Sequence, residues 1–189
     1  MARLYVLQTG QTTWEAEERI ESAAGAPLTD RGVQTAADAA MELGKYGITA
    51  LYACAGEAER QTAELIARKI GVKVRIAKDL RELDYGLWQG LTAEEIRRRH
   101  PKLYRQWTEA PASARPPGGE TLAEAQERLR SAVRGIVKRH KNGAALVVLR
   151  PVMFALFRCL GEGRGLESLW APSEQKSVWC SYELDGRSL

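Results

Sequence analysis

The sequence contains little histidine and little cysteine, and it lacks any long apolar run. Only His100 and His140 are histidine among 189 residues, and three residues are cysteine. An odd cysteine count without a C-x-x-C spacing disfavours a disulfide framework and a structural zinc site. No apolar run approaches the roughly 20 residues that cross a bilayer, and the N-terminal run is too short for a secretory signal. We therefore expect a cytoplasmic protein without a membrane segment, metal or cofactor.

The excess of positive charge is small. Lysine and arginine number 28 against 24 acidic residues, which gives a net charge of +4. Two basic runs, at residues 97–100 and 138–141, each lie at the end of a predicted helix, where cations interact favourably with the helix dipole. This placement favours solvated helix ends over a nucleic-acid surface, which concentrates its charge on one face. Nucleic-acid binding is kept only as the weakest functional alternative.

Short apolar runs alternate with helical periodicities along the chain. The predicted strands are residues 4–7, 48–53, 72–76, 144–149 and 178–184. The predicted helices are residues 30–46, 57–70, 92–100, 152–160 and a long helix that follows Thr121. Thr92 with Glu95, and Thr121 with Glu124, have the spacing of capping boxes. The alternation predicts a three-layer α/β/α sandwich with a mostly parallel sheet, and the length predicts one domain.

Four loops are expected to carry any active site. In a parallel α/β sheet the functional crevice lies beyond the carboxyl ends of the strands. The loops at that edge begin at Gln8, Cys54, Asp79 and Arg150. A packed thiol is the favoured interpretation of Cys54, because a reactive thiol needs a nearby cation to lower its pKa.

Several segments of the chain match a set of motifs in the correct order. They read LYVLQTGQTTW at 4–14, PLTDRG at 27–32, RQTAE at 60–64, RELDYGLWQGLT at 81–92 and PPGGE at 116–120, and residues 177–184 match a last strand. In these motifs the chain resembles the histidine phosphatase superfamily over nearly its whole length. The resemblance implies a phosphoglycerate mutase-like fold in a single domain, 1–189. It also implies a lid-like segment around residues 101–120.

The resemblance implies a pocket for phosphoryl transfer, whose residues are altered in this chain. Members of the family use a histidine nucleophile, two arginines, a second histidine and a glutamate that protonates the leaving oxygen. By position, the former catalytic pocket consists of Gln8, Thr9, Gly10, Ala58, Glu82 and Arg150. Thr9 stands at the nucleophile, Gln8 and Ala58 at the two arginines, and Arg150 at the second histidine. Only Glu82 keeps the residue type of the family.

These replacements predict a chain without the phosphatase activity of the family. A threonine hydroxyl needs an adjacent base to become a nucleophile, and neither histidine lies in the four loops. An arginine that stabilises phosphoryl charge contributes about 10³–10⁵ in rate. In addition, Pro151 removes a backbone N–H at a helix start that could otherwise bind an anion.

Two functional hypotheses from different classes follow. The leading one is a pseudophosphatase that binds, scaffolds or regulates a protein partner, or acts as a homodimer. The alternative is an enzyme with a repurposed pocket, in which Glu82 acts with Arg150, Thr9 or Cys54 on a small anionic or phosphorylated substrate. For Arg150 and Glu82 themselves, an ion pair that fills the pocket is favoured over a pair that holds an anionic ligand. Any ligand binding in the pocket is assigned to Arg150, Glu82 and Thr9.

Overall fold

A mixed five-stranded sheet forms the centre of the fold. The computed structural model describes residues 1–21, 24–171 and 177–185. The strands are β1 (Ala2–Gln8), β2 (Ala50–Ala53), β3 (Val74–Ile76), β4 (Ala144–Leu149) and β5 (Trp179–Leu184). Their order is β3-β2-β4-β1-β5, and β5 runs antiparallel to β1 whereas the other pairs are parallel. The predicted mostly parallel sheet is confirmed.

Helices cover both faces of this sheet. They are α1 (Thr13–Ala16), α2 (Asp30–Leu43), α3 (Glu57–Ile70), α4 (Ala93–Arg99), α5 (Pro101–Glu109), α6 (Leu122–Arg139) and α7 (Pro151–Gly161). Side chains alternate between the two faces along each strand. Leu7 and Val148 pack in one core cluster with α2 and α3, whereas Val6 and Val147 pack in a second with α4 to α7. The predicted three-layer sandwich is therefore confirmed.

The observed elements differ from the predicted ones mainly at their ends. Residues 72–76 contain a strand only at Val74–Ile76, and the first long helix ends at Leu43 rather than Tyr46. No helix is predicted from the sequence at residues 101–109, where the structure has α5. Pro101 occupies the first position of α5, where the missing N–H needs no partner. None of the described helices combines the length and apolar character needed to cross a membrane.

Capping boxes fix the starts of three helices. Those of α4, at Thr92 and Glu95, and of α6, at Thr121 and Glu124, are confirmed. A third one, which the sequence analysis does not identify, starts α1: the Thr12 hydroxyl accepts from the Glu15 N–H, and the Glu15 carboxylate accepts from the Thr12 N–H. This box holds Glu15 beside the carboxyl end of β1.

The loop after β1 packs against the start of α2 without room for a side chain. A Cβ atom at Gly32 would overlap the carbonyl oxygen of Gln11, and one at Gly10 would overlap that of Gly32. The two glycines thus allow the backbones of the loop and the helix to touch. This contact fixes the segment that carries Thr9.

We predict that Gly32→Ala destabilises the protein by about 1–3 kcal/mol, because overpacking forces the backbone to shift. Gly135→Ala, in α6, is the matched control, since a Cβ there would meet no atom within 4 Å. The control should gain about 0.5–1 kcal/mol from better helix propensity. Urea unfolding of both variants measures these differences, and equal shifts would contradict the close contact at Gly32.

Candidate functional site

The parallel pairing of β1 and β4 brings Thr9 and Arg150 to the same edge of the sheet. Gln8 pairs with Leu149, and the Thr9 N–H donates to the Leu149 carbonyl oxygen at 2.8 Å. Strand alternation directs Thr9 and Arg150 towards the layer of α2 and α3. The N–H of Gly10 lies 3.3 Å from the Thr62 hydroxyl of α3. The loops after β1 and β4 therefore meet the first turns of α3.

Ala58 lies in the first turn of α3 and is fully buried. The Arg150 guanidinium extends towards this turn: a Cβ atom at Gly25 would lie 3.6 Å from both Arg150 Nη1 and the Ala58 nitrogen. Arg150 thus approaches the start of α3. The resemblance places an arginine of the family there, at the position of Ala58. Gln8, by contrast, is only partly buried at the end of β1.

Glu82 reaches the pocket from the loop that follows β3. Its Oε1 accepts from the Leu83 N–H at 2.6 Å, and its Oε2 accepts from the Val152 N–H at 3.3 Å. Val152 lies in the first turn of α7, so a carboxylate of the chain itself occupies the N–H that an anionic ligand could use there. Glu82 is 7% exposed.

Arg150 forms its buried ion pair with Glu21. Arg150 Nη2 and Glu21 Oε2 are 2.5 Å apart, and the two side chains are 1% and 7% exposed. Glu21 also accepts a hydrogen bond from the Thr12 hydroxyl. The expected ion pair between Arg150 and Glu82 is not formed, because backbone N–H groups take the Glu82 oxygens and Glu21 takes the guanidinium.

Four glutamates surround this single guanidinium. We call them the glutamate cluster: Glu15, Glu21, Glu59 and Glu82. Glu59 is 1% exposed, and its Oε2 has no hydrogen-bond partner among the described residues. The Thr9 hydroxyl is likewise buried and without such a partner in the described parts of the chain. By the resemblance, Glu15 stands where the family has an asparagine after Trp14. Glu21 and Glu59 are not identified from the sequence, in which an acidic residue has the same signal whether it is buried or exposed to solvent.

Burial raises the pKa of three of these carboxyls. It raises the pKa of Glu82 to about 7, while the charge of Arg150 acts in the opposite direction. Burial also raises the pKa values of Glu59 and Glu15, and the negative charge of Glu21 raises both further. The pocket thus holds more carboxylates than one arginine can neutralise, and burial favours their protonated forms.

The remaining sequence candidates lie outside this cluster. His140 Nε2 is hydrogen-bonded to the Tyr52 hydroxyl at 2.8 Å, and His100 separates α4 from α5. Cys54 is a half-buried free thiol whose Sγ lies 3.9 Å from the Lys78 carbonyl oxygen. Within the described residues, no group of three or more histidine, cysteine, aspartate or glutamate side chains is arranged to hold a metal ion.

Residues 4–188 match the family model of the histidine phosphatase superfamily (branch 1). This chain belongs to the histidine phosphatase superfamily. It is 27% identical over 171 residues to phosphoserine phosphatase 1 of Hydrogenobacter thermophilus. The aligned region covers 90% of this chain and 81% of that protein. It is 30% identical over 148 residues to a probable phosphoglycerate mutase, GpmB, of Escherichia fergusonii. The aligned region covers 78% of this chain and 69% of that protein.

The structures agree with this membership of the histidine phosphatase superfamily. YhfR of Bacillus stearothermophilus superposes with a TM-score of 0.93 at 28% identity, over 98% of this chain and 93% of that one. The phosphoglycerate mutase-like fold expected from the motifs is therefore confirmed.

Within the pocket of this histidine phosphatase superfamily member, the Glu82 carboxyl is suited to proton exchange. Glu82 can gain or lose a proton near neutral pH because its pKa is about 7. No carboxylate of the described residues is hydrogen-bonded to the Thr9 hydroxyl, and a threonine hydroxyl needs an adjacent base to become a nucleophile. Arg150 is already paired with Glu21.

We predict that the wild-type protein loses stability between pH 5 and pH 8 relative to Glu82→Gln. The folded protein keeps a proton on Glu82 that the unfolded chain releases near pH 4.5. The contribution of this proton to the free energy of unfolding is therefore present at low pH and falls as the pH rises towards 7. The difference between a pKa of about 7 and the usual 4.5 corresponds to a loss of about 3 kcal/mol in the free energy of unfolding over the whole titration.

Urea unfolding at pH 5, 6, 7 and 8 measures this difference. Glu94→Gln, at an exposed position of α4, is the matched control and should follow the wild-type profile. A Glu82→Gln profile parallel to that of the wild type would contradict the raised pKa.

Proposed function

We propose that this protein is a pseudophosphatase, a superfamily member that has lost phosphoryl transfer and acts as a binding, scaffolding or regulatory module. The observation that carries the proposal is the glutamate cluster, in which Arg150, the one arginine buried among the described residues, is paired with Glu21 at 2.5 Å. The proposal includes a protein partner or a homodimer as the binding target. It keeps the cytoplasmic location, the single domain 1–189 and the lid-like segment around 101–120 expected from the sequence.

The charge of the pocket opposes a phosphate ester. Such a substrate carries up to two negative charges, and these would be repelled by every carboxyl of the glutamate cluster that is ionised. Two like charges 4 Å apart repel by about 4 kcal/mol at the effective dielectric near a protein surface. Arg150 offers little compensation, because Glu21 already offsets its charge. For the same reason the pocket disfavours the small anionic ligand that the sequence assigned to Arg150, Glu82 and Thr9.

The pocket also lacks a nucleophile of the family type. Both histidines of the chain lie outside it: His140 is hydrogen-bonded to Tyr52, and His100 lies between α4 and α5. Thr9 is buried, and its hydroxyl is bonded to no base among the described residues. The relatives are named as a phosphatase and a probable mutase. In this proposal the chain shares their descent but not their activity.

One observation favours the alternative of a repurposed enzyme. The pKa of Glu82 is about 7, which suits a general acid or base at neutral pH. In this hypothesis Glu82 would act with Arg150, Thr9 or Cys54. Substitution of Glu82 distinguishes the two functions, since the pseudophosphatase needs no proton transfer from it.

We predict that the protein releases no phosphate above background from an aryl phosphate or from a panel of phosphorylated metabolites. Glu82→Gln is assayed in parallel to exclude a contaminating phosphatase, and phosphoserine phosphatase 1 of Hydrogenobacter thermophilus serves as the active control. Wild type and variant should show the same background. Multiple turnover by the wild type that Glu82→Gln abolishes would contradict the proposal and support the repurposed enzyme.

A further inference from the structure

An apolar cleft lies between α4, α5 and the segment that contains Trp170. Its volume is about 260 Å³, and its walls include Trp88, Trp107, Trp170, Tyr104, Ile20 and Ile96. None of the glutamate cluster lines it. An apolar cavity of about 150 Å³ already admits benzene, so this cleft has room for a ligand with two fused rings. Its walls of flat aromatic side chains suit an aromatic ligand.

Trp88, whose side chain forms part of the wall of the cleft, carries a buried hydrogen-bond donor that finds no acceptor. Trp88 is 1% exposed, and its Nε1 has no hydrogen-bond partner among the described residues. Trp170 differs, because its Nε1 donates to the Trp107 carbonyl oxygen at 2.8 Å. A buried N–H without a partner is costly, and a ligand that carries an oxygen acceptor would remove that cost.

Positive charge borders the cleft. The exposed side chains of Arg97 and Arg98 on α4, and of Lys102 and Arg105 on α5, form no ion pair with a described residue. Arg97 lies one helical turn after Ala93, and Arg105 lies three residues before Thr108; both Ala93 and Thr108 line the cleft. Residues at these spacings are neighbours on a helix surface. Helical spacing therefore places Arg97 and Arg105 beside residues of the cleft wall, although neither lines the cleft itself.

We propose that this cleft binds a small aromatic carboxylate. The rings lie among the tryptophans, an oxygen of the ligand accepts from Trp88 Nε1, and the negative charge is attracted by Arg97 and Arg105. This inference names a ligand class for the proposed binding role and rests on that role. It does not depend on the loss of phosphoryl transfer. It also places the anionic ligand away from Arg150.

Isothermal titration calorimetry with three probes tests the proposal. The probes are 1-naphthaleneacetate, the neutral 1-naphthaleneacetamide, which keeps a carbonyl acceptor, and the cationic 1-naphthylmethylammonium. The carboxylate should bind most tightly and the ammonium most weakly. No saturable binding of the carboxylate at millimolar concentration would overturn the proposal, as would equal affinities for all three probes.

Two variants test the groups that we assign. Arg97→Gln with Arg105→Gln should weaken the carboxylate about three- to tenfold and leave the amide unchanged. Lys138→Gln with Arg139→Gln, which removes two exposed cations at the end of α6, is the matched control and should change neither probe. Equal losses from both double variants would overturn the role of Arg97 and Arg105.

Trp88→Phe removes the N–H and keeps most of the aromatic wall. It should weaken the carboxylate and the amide alike, and unchanged affinities would overturn the role of Trp88. The same samples are assayed for phosphate release, so the two proposals fail separately. Turnover would contradict the pseudophosphatase function and leave the proposed ligand of the cleft unaffected. Absent probe binding would overturn the proposed ligand alone.

Discussion

The buried ion pair between Arg150 and Glu21 is the interaction on which the arrangement of this pocket depends. An unpaired charge in that position costs several kcal/mol, so Arg150 at the end of β4 needs a carboxylate beside it. Glu21 supplies it and is itself held by the Thr12 hydroxyl. The pair thus joins the carboxyl end of the sheet to the segment after α1. It also provides the one guanidinium charge that moderates the raised pKa values of Glu82 and Glu59.

Much of the fold could be predicted from the sequence, because its signals are local. Periodicity located all five strands, and the capping boxes at Thr92 and Thr121 located two helix starts. The segment 101–109 was different: Leu103, Tyr104 and Trp107 have helical spacing, but the helix is only nine residues long and Trp107 alone is buried in it. The pocket was predicted only in part. An acidic residue at a helix start has the same sequence signal whether it is solvated or buried, so Glu59 could not be recognised as part of a cluster.

The layers of the fold and the pocket at the edge of the sheet depend on different residues. Superposition on YhfR at a TM-score of 0.93 shows that the two chains share the layers of sheet and helices. This is physically reasonable, since the sheet is held by its apolar faces and its edge loops contribute little to that packing. Surfaces elsewhere, such as the aromatic cleft beside α4 and α5, can therefore keep their shape when residues of the pocket change.

Vanadate binding is the most direct test of the central claim that the former phosphate pocket no longer accepts an anion. Vanadate resembles a phosphoryl group in transfer, and its ⁵¹V NMR signal reports binding without any requirement for turnover. The account predicts no saturable binding at millimolar vanadate and neutral pH. Stoichiometric binding that is abolished by Arg150→Met, in a variant shown to be folded, would contradict it.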